Sequence, residues 1–225
     1  GYDQLETVWR NPTTQTHNLS VNGGSDRVRY FGAASYVKQE GFLKPLTYDK
    51  YNIRMNVTAD ITKDLEVFAG LAIYNNFTGN AVFEDAGSNY SKLRVWQPDQ
   101  PVYTDNGQYI DYGWIANMGA AVDGRGGYNK SQMLKPQAVI SATYKMPFLK
   151  GLSAKVSYSR SWTNDVNKKF YINYDLMTMK KSGTNNRIMS TNDNDIISTR
   201  KSTWVGKDYI ERKSSWSDDK QFNFQ

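Results

Sequence analysis

Few residues in this chain can do covalent chemistry. Its 225 residues include no cysteine and a single histidine, His17. Ser-His-Asp, Cys-His and multi-histidine zinc arrangements each need an imidazole or thiolate beside further partners, so none can be assembled within it. His17 falls on the apolar side of an alternating segment, which is a structural position. Carboxylates cluster at Glu84-Asp85, Asp193/Asp195 and Asp218-Asp219. Such pairs can support acid–base work or hold calcium, but Asp193-Asn194-Asp195 lacks the glycine and glutamate spacing of a calcium-binding hand. All three read as solvated loop charges. Gly124-Arg125-Gly126-Gly127 neither follows a strand nor opens a helix in the manner of a dinucleotide-binding loop, so it reads as a flexible turn. No catalytic residue, metal site or cofactor is expected, and the chain does not read as an enzyme.

Binding chemistry is better represented. Residues 90–128 carry Trp96, Tyr103, Tyr109, Tyr112, Trp114 and Tyr128 among Pro, Gly, Asn and Asp. Flat rings take sugar rings or peptide side chains, with nearby amides adding hydrogen bonds. Rings also anchor contacts with partner proteins, or pack a loop onto itself. All three roles are open to these six residues. They are the candidates for contact with a substrate or a lid-like partner.

The composition bounds what can present such a loop. Hydrophobic residues are 39% and mean hydropathy is -0.70, yet aromatics reach 14%. A chain meant to stay disordered would be poor in aromatics. A polar average rich in rings suits a soluble β-sandwich with long loops, or a membrane barrel whose strands alternate apolar and polar residues. No stretch approaches the ~20 apolar residues of a spanning helix. Net charge is +6, but Lys and Arg are spread without a block, so no nucleic-acid partner is expected. Basic residues near an outer leaflet would meet lipid phosphates.

Period-2 alternation marks the strands, in a pattern that both designs share. Over residues 51–61, Tyr51, Ile53, Met55, Val57, Ala59 and Ile61 share one face, and Asn52, Arg54, Asn56, Thr58 and Asp60 the other. About eleven residues at ~3.3 Å each, tilted as barrel strands are, cross a ~25 Å apolar band. Residues 65–75 repeat the plan with Leu65, Val67, Ala69, Leu71 and Ile73, after the tight turn Thr62-Lys63-Asp64. A second hairpin joins 136–144 (Ala138, Ile140, Ala142, Tyr144) to 152–162 (Leu152, Ala154, Val156, Tyr158, Trp162). Arg160 interrupts its apolar face near an end, where it can snorkel. Residues 17–22 and 28–37 form an earlier, weaker hairpin around Gly23-Gly24-Ser25-Asp26. Residues 218–225 begin another strand and stop within it. Six strands and this stub are too few to close a barrel, so the chain is expected to be part of something larger.

Link lengths alternate: short at 23–27, 62–64 and 146–151, longer at 38–47, very long at 76–135 and 163–219. Loops this long are unusual in compact soluble domains, whereas outer-membrane barrels pair short periplasmic turns with long extracellular loops. The lipid-facing set is then Ile53, Met55, Val57, Leu71, Ile73, Ile140 and Val156. The competing reading is a soluble β-rich carbohydrate-binding or adhesion module.

Particular residues also resemble a known family. Val8-Trp9-Arg10-Asn11-Pro12 and Thr16-His17-Asn18-Leu19-Ser20-Val21-Asn22-Gly23-Gly24-Ser25 are similar to the stretch after the first barrel strand of SusC/RagA proteins, TonB-linked receptors of the Bacteroidetes outer membrane. Tyr30-Phe31, Ser35-Tyr36, Gln39-Glu40-Gly41-Phe42 and residues 51–57 resemble the strands that follow. Lys150-Gly151-Leu152-Ser153 resembles a periplasmic turn, and Pro101-Val102-Tyr103 with Asn106-Gly107-Gln108-Tyr109 an external loop. The likeness is strongest over residues 9–76. Tyr2-Asp3-Gln4-Leu5 departs from the Thr-Asp-Trp that the family often carries before the motif.

The resemblance implies an all-β, up-and-down antiparallel wall over residues 1–225, belonging to a 22-stranded barrel whose plug and TonB box lie elsewhere. It also implies a SusD-like lipoprotein lid, energy from a TonB complex, contact with outer-membrane lipid, and import of an oligosaccharide or peptide across the bacterial outer membrane.

Overall fold

A computed structural model describes residues 2–81, 91, 94–113, 117–149, 151–202 and 207–225, without the side chains of residues 4, 5, 118 and 121. In chain order the elements are α1 (Gln4–Val8), β1 (Thr13–Gly24), β2 (Val28–Glu40), β3 (Thr47–Asp60), β4 (Leu65–Asn80), β5 (Tyr109–Ile110), α2 (Met118–Asp123), β6 (Gly127–Lys145), β7 (Ser153–Tyr171), β8 (Asp175–Met179), β9 (Lys181–Ser182), β10 (Ile188–Met189), β11 (Ile196–Lys201) and β12 (Tyr209–Phe224). Seven of them form one antiparallel up-and-down sheet in the order β1-β2-β3-β4-β6-β7-β12. Among the described residues it does not close on itself.

The expected strands are all present, and each is longer than the alternation predicted. The hairpin expected over 136–144 and 152–162 runs from Gly127 to Tyr171. The start of a strand expected from residue 218 is the lower half of β12, which is 16 residues long. Asp218 is therefore not a loop charge. Its carboxylate accepts hydrogen bonds from Arg160 Nε at 2.9 Å and from the neighbouring guanidinium nitrogen at 3.0 Å. Arg160, which also lies over the Trp162 ring at 5.5 Å, thus has a fixed partner on the adjacent strand in addition to any reach toward an interface.

Register fixes the two faces. Ile53 stands opposite Ala34 and Ile73, Met55 opposite Gly32 and Leu71, and Val57 opposite Tyr30 and Ala69. Ala69 faces Ile140, which faces Tyr158, which faces Phe222. One side of the sheet is therefore apolar from Leu19 and Val21 on β1 to Phe222 and Phe224 on β12. Its residues stay exposed: Ile53 at 43%, Met55 at 48%, Val57 at 44% and Ile140 at 53%. Val156 is exposed as well, while Leu71 and Ile73 are half-buried between their cross-strand neighbours. The other side carries Asn52, Arg54, Asn56, Gln137, Ser157, Ser159 and Ser161.

The buried clusters lie off the sheet. Val8, Leu43, Trp96, Val102 and Val122 form one. Tyr109, Ala120, Tyr174 and Leu176 form a second, and Ile110, Met177, Met179 and Met189 a third. The two long links hold folded segments in their described residues between β4 and β6 and between β7 and β12. They join where β5 pairs in parallel with β8, which in turn pairs antiparallel with β11. The sheet has almost no core of its own, and the loops at one end of it have three. Glu84 and Asp85 lie outside the described residues.

Candidate functional site

The loop cap is assembled around Asn117. Its side chain caps α2 by accepting from the Gly119 N–H at 2.9 Å, and its amide donates to the carbonyls of Val102 (2.7 Å) and Ile110 (2.9 Å). One buried residue thus starts the helix, the role for which Asn is favoured, and ties two parts of the loop to it. Gly124 ends α2 in the left-handed region at φ 74°, where a residue without Cβ avoids a steric penalty.

The aromatic candidates pack around this frame. Trp96 is 6% exposed and meets Tyr112 edge-on at 5.4 Å. Tyr109, 2% exposed, meets Tyr174 edge-on at 5.4 Å. Tyr103 and Tyr112 are half-buried. The Tyr103 hydroxyl donates to Asp123 at 2.8 Å, and the Tyr112 hydroxyl donates to the Pro101 carbonyl. Burial, reinforced by the Asp123 carboxylate, raises the Tyr103 phenol well above its ordinary value and pushes Tyr109 up to about 12. Burial likewise raises Tyr112. These phenols are neutral donors at physiological pH, fit for holding the loop and not for general base work. Tyr128 is elsewhere: it stands on β6 with Phe170 at 5.7 Å, on the same side as Ile140. Trp114 lies outside the described residues.

Polar contacts lock the two long loops together. Asp111 accepts two hydrogen bonds from Arg200, one at 2.7 Å and a shorter one from Nε. Burial opposes ionisation of Asp111, but Arg200 and the Gly113 N–H outweigh it and hold the carboxyl below the usual carboxylate range. Asp193 accepts from Thr104 at 2.9 Å and from the Asn106 N–H at 3.1 Å. Asp195 is bonded by Ser190 at 2.7 Å and Lys180 at 3.2 Å, which lower its pKa in that order. Each member of this acidic pair therefore has a structural partner, and no group of three or more metal-ligating side chains occurs among the described residues.

Arg10 has a role that its position in the sequence did not show. It donates from Nε to the Gly41 carbonyl at 2.8 Å and from its terminal nitrogen to Leu46 at 3.0 Å, while Trp9 stacks on Phe42 at 4.8 Å. The β2–β3 link is thereby fastened to the N-terminal segment. The polar side of the sheet, by contrast, is a broad open depression of about 760 Å³, lined by Arg54, Asn56, Phe68, Gln137 and Ser159 among others.

A meander with one exposed apolar face, one polar face, tight turns at one end and folded loops at the other has the architecture of a transmembrane β-barrel wall. Comparison with known proteins agrees. The chain is 25% identical over 127 residues to TonB-dependent receptor P3 of Formosa agariphila, a match covering 54% of this chain and 12% of the relative. It is 25% identical over 92 residues to TonB-dependent receptor P26 of the same organism, covering 41% and 9%. The chain thus matches only about a tenth of these relatives' length. Among solved structures it shares its fold with the RagAB peptide transporter, at TM-score 0.63 and 20% identity over 76% of this chain and 20% of that one. The RagAB peptide importer in an "open-open" state aligns at TM-score 0.63 and 14% identity over 100% of this chain and 31% of that one. No protein-family profile matches. The likeness to TonB-dependent receptors therefore stands on sequence relatives, and the likeness to RagAB on fold.

Proposed function

We propose that these residues are one portion of the barrel of a TonB-dependent importer in a bacterial outer membrane. The observation that carries this reading is the apolar face that runs across all seven strands, interrupted at the Arg160–Asp218–Lys220 cluster, and is left exposed. In water such a face would be far larger than the few hundred Å² that a soluble monomer tolerates. Against hydrocarbon it needs no further covering, because every second side chain meets acyl chains while its neighbours meet a wet interior. Ile53, Met55, Val57, Leu71, Ile73, Ile140 and Val156 are then the lipid-facing set. The tight turns face the periplasm and the cap faces outward. A soluble carbohydrate-binding or adhesion module is disfavoured, since it would need a second layer over this face.

In the importer reading the substrate is an oligosaccharide or peptide, a SusD-like lipoprotein meets the outer end, and a TonB complex supplies energy through parts of the receptor beyond this stretch. Trp96 and Tyr109 hold the cap's shape, and the accessible edges of Tyr103 and Tyr112 are the candidates for meeting substrate or lid. The absence of cysteine in this stretch allows a direct test. Single thiols at residues 53, 57 and 140, or at 54, 56 and 137, are spin-labelled in the full-length receptor reconstituted in vesicles. Labels of the first set should be relaxed by dissolved oxygen and shielded from a water-soluble nickel chelate, and labels of the second set the reverse. Equal access of the chelate to both sets would refute the reading.

A further inference from the structure

Toward the cap end, the same outward side changes character. Lys130, Lys168 and Arg212 stand directly opposite one another on three adjacent strands, Lys130 against Lys168 and Lys168 against Arg212. Parity places them on the side of Ile140, Val156 and Phe222, and all three are exposed. Like charges directly across a sheet repel, and among the described residues none of the three forms an ion pair with a carboxylate. On β12 the acid of this side, Asp218, lies six residues from Arg212 and already holds Arg160 and Lys220. Immediately beyond the cations, Tyr128, Phe170 and Ile210 form the next same-side row, with the Lys130 ammonium 5.4 Å from the Tyr128 ring centre. Three uncompensated cations beneath two rings fit an anion carried on a saccharide: phosphates for the cations, sugar faces for the rings.

Height selects among anionic lipids. Lys168 is six residues beyond Trp162 on β7, which at ~3.3 Å per residue and a tilt of ~40° is on the order of 15 Å further out. The headgroup zone of a phospholipid leaflet is only about 5–8 Å deep. We infer that Lys130, Lys168 and Arg212, with Tyr128 and Phe170, bind the phosphorylated saccharide headgroup of an outer-leaflet glycolipid. This inference rests on the membrane-barrel reading above.

The test uses the full-length receptor in detergent micelles, titrated with rough-type lipopolysaccharide, the same glycolipid after phosphatase treatment, phosphatidylglycerol or inorganic phosphate. A surface cation beside anionic lipid contributes about fivefold in affinity, so K130Q/K168Q/R212Q together should weaken lipopolysaccharide binding on the order of a hundredfold. Phosphatase treatment should weaken binding to the native protein comparably, and phosphatidylglycerol and inorganic phosphate should bind no better to the native protein than to the variant. K168Q alone should fall between. The control K155Q/K169Q, on the opposite side, should bind as the native protein does. Undiminished binding by a folded triple variant, or undiminished binding of the phosphatase-treated glycolipid, overturns the inference. If the native receptor instead stays folded and monomeric without detergent, it is the barrel reading that has failed.

Discussion

Met55 offers the sharpest test of which side of the sheet meets hydrocarbon. It lies on β3 between Gly32 and Leu71, five residues from Asp60 at the tight-turn end. That end is marked by Arg29, whose guanidinium bonds Asp60 at 3.3 Å and Glu66 at 2.8 Å. Five residues at ~3.3 Å, tilted ~40°, raise Met55 by about 13 Å, the middle of a ~25 Å apolar band. A cation introduced there has no short route to either interface, so Met55→Arg should destabilise insertion by about 2–4 kcal/mol. That corresponds to a roughly thirty- to several-hundredfold fall in the folded-to-unfolded ratio. Asn56→Arg places the same group one residue away on the polar side, facing Phe31 and Gly70 across the sheet and near Arg54. Water and the open depression accommodate it there, and its cost should stay within about 1 kcal/mol. Urea titration of the full-length receptor folding into vesicles measures both, read from tryptophan fluorescence and confirmed by protease protection. Equal losses for the two variants would refute the face assignment, and so would a Met55→Arg cost below about 0.5 kcal/mol.

Two further perturbations probe the cap. Asn117→Ala removes a helix cap and the side-chain donor to two buried carbonyls, of which that of Val102 keeps the Ile110 N–H at 3.3 Å, so protection of the amides around α2 and β5 should fall by about 2–4 kcal/mol in hydrogen exchange. Asn117→Asp keeps the cap but turns an acceptor oxygen toward the two carbonyls in place of the donor, and should recover none of that loss. Asp111 is held ionised by Arg200, and its folded pKa lies below that of the unfolded chain. The resulting stabilisation is fully present above the ordinary carboxylate pKa of ~3.9 and is lost as pH falls through the depressed folded value. Limited proteolysis of the cap should therefore be constant from about pH 7 to 5 and accelerate only below about pH 4. Arg200→Met should give rapid cleavage across the whole range.

How much of this was legible in the sequence follows from what enforces alternation. Where one side meets hydrocarbon and the other water, each residue is constrained by parity, and residues 51–61 announce their strand unaided. Beyond the apolar band both sides are wet. Asn129-Lys130-Ser131-Gln132 and Asn164-Asp165-Val166-Asn167-Lys168-Lys169 then carry no apolar rhythm and read as loop. The backbone ladder needs no such rhythm, and Asn129 still pairs with Lys169 and Ser131 with Asn167. The strands therefore run on past the point where the side chains stop reporting them. The cap was illegible for a different reason. Asp111 finds Arg200, and Thr104 finds Asp193, across 89 residues in each case, and no local pattern encodes such pairings. The aromatic loop was visible as a set of rings, but which of them turn inward depends on those distant contacts. Parity, however, carries further than the pattern that reveals it. Counting back from Ile140 in steps of two reaches Lys130, and counting on from Val156 reaches Lys168. The cationic row was thus implicit in the sequence, hidden only because the apolar rhythm ends before reaching it.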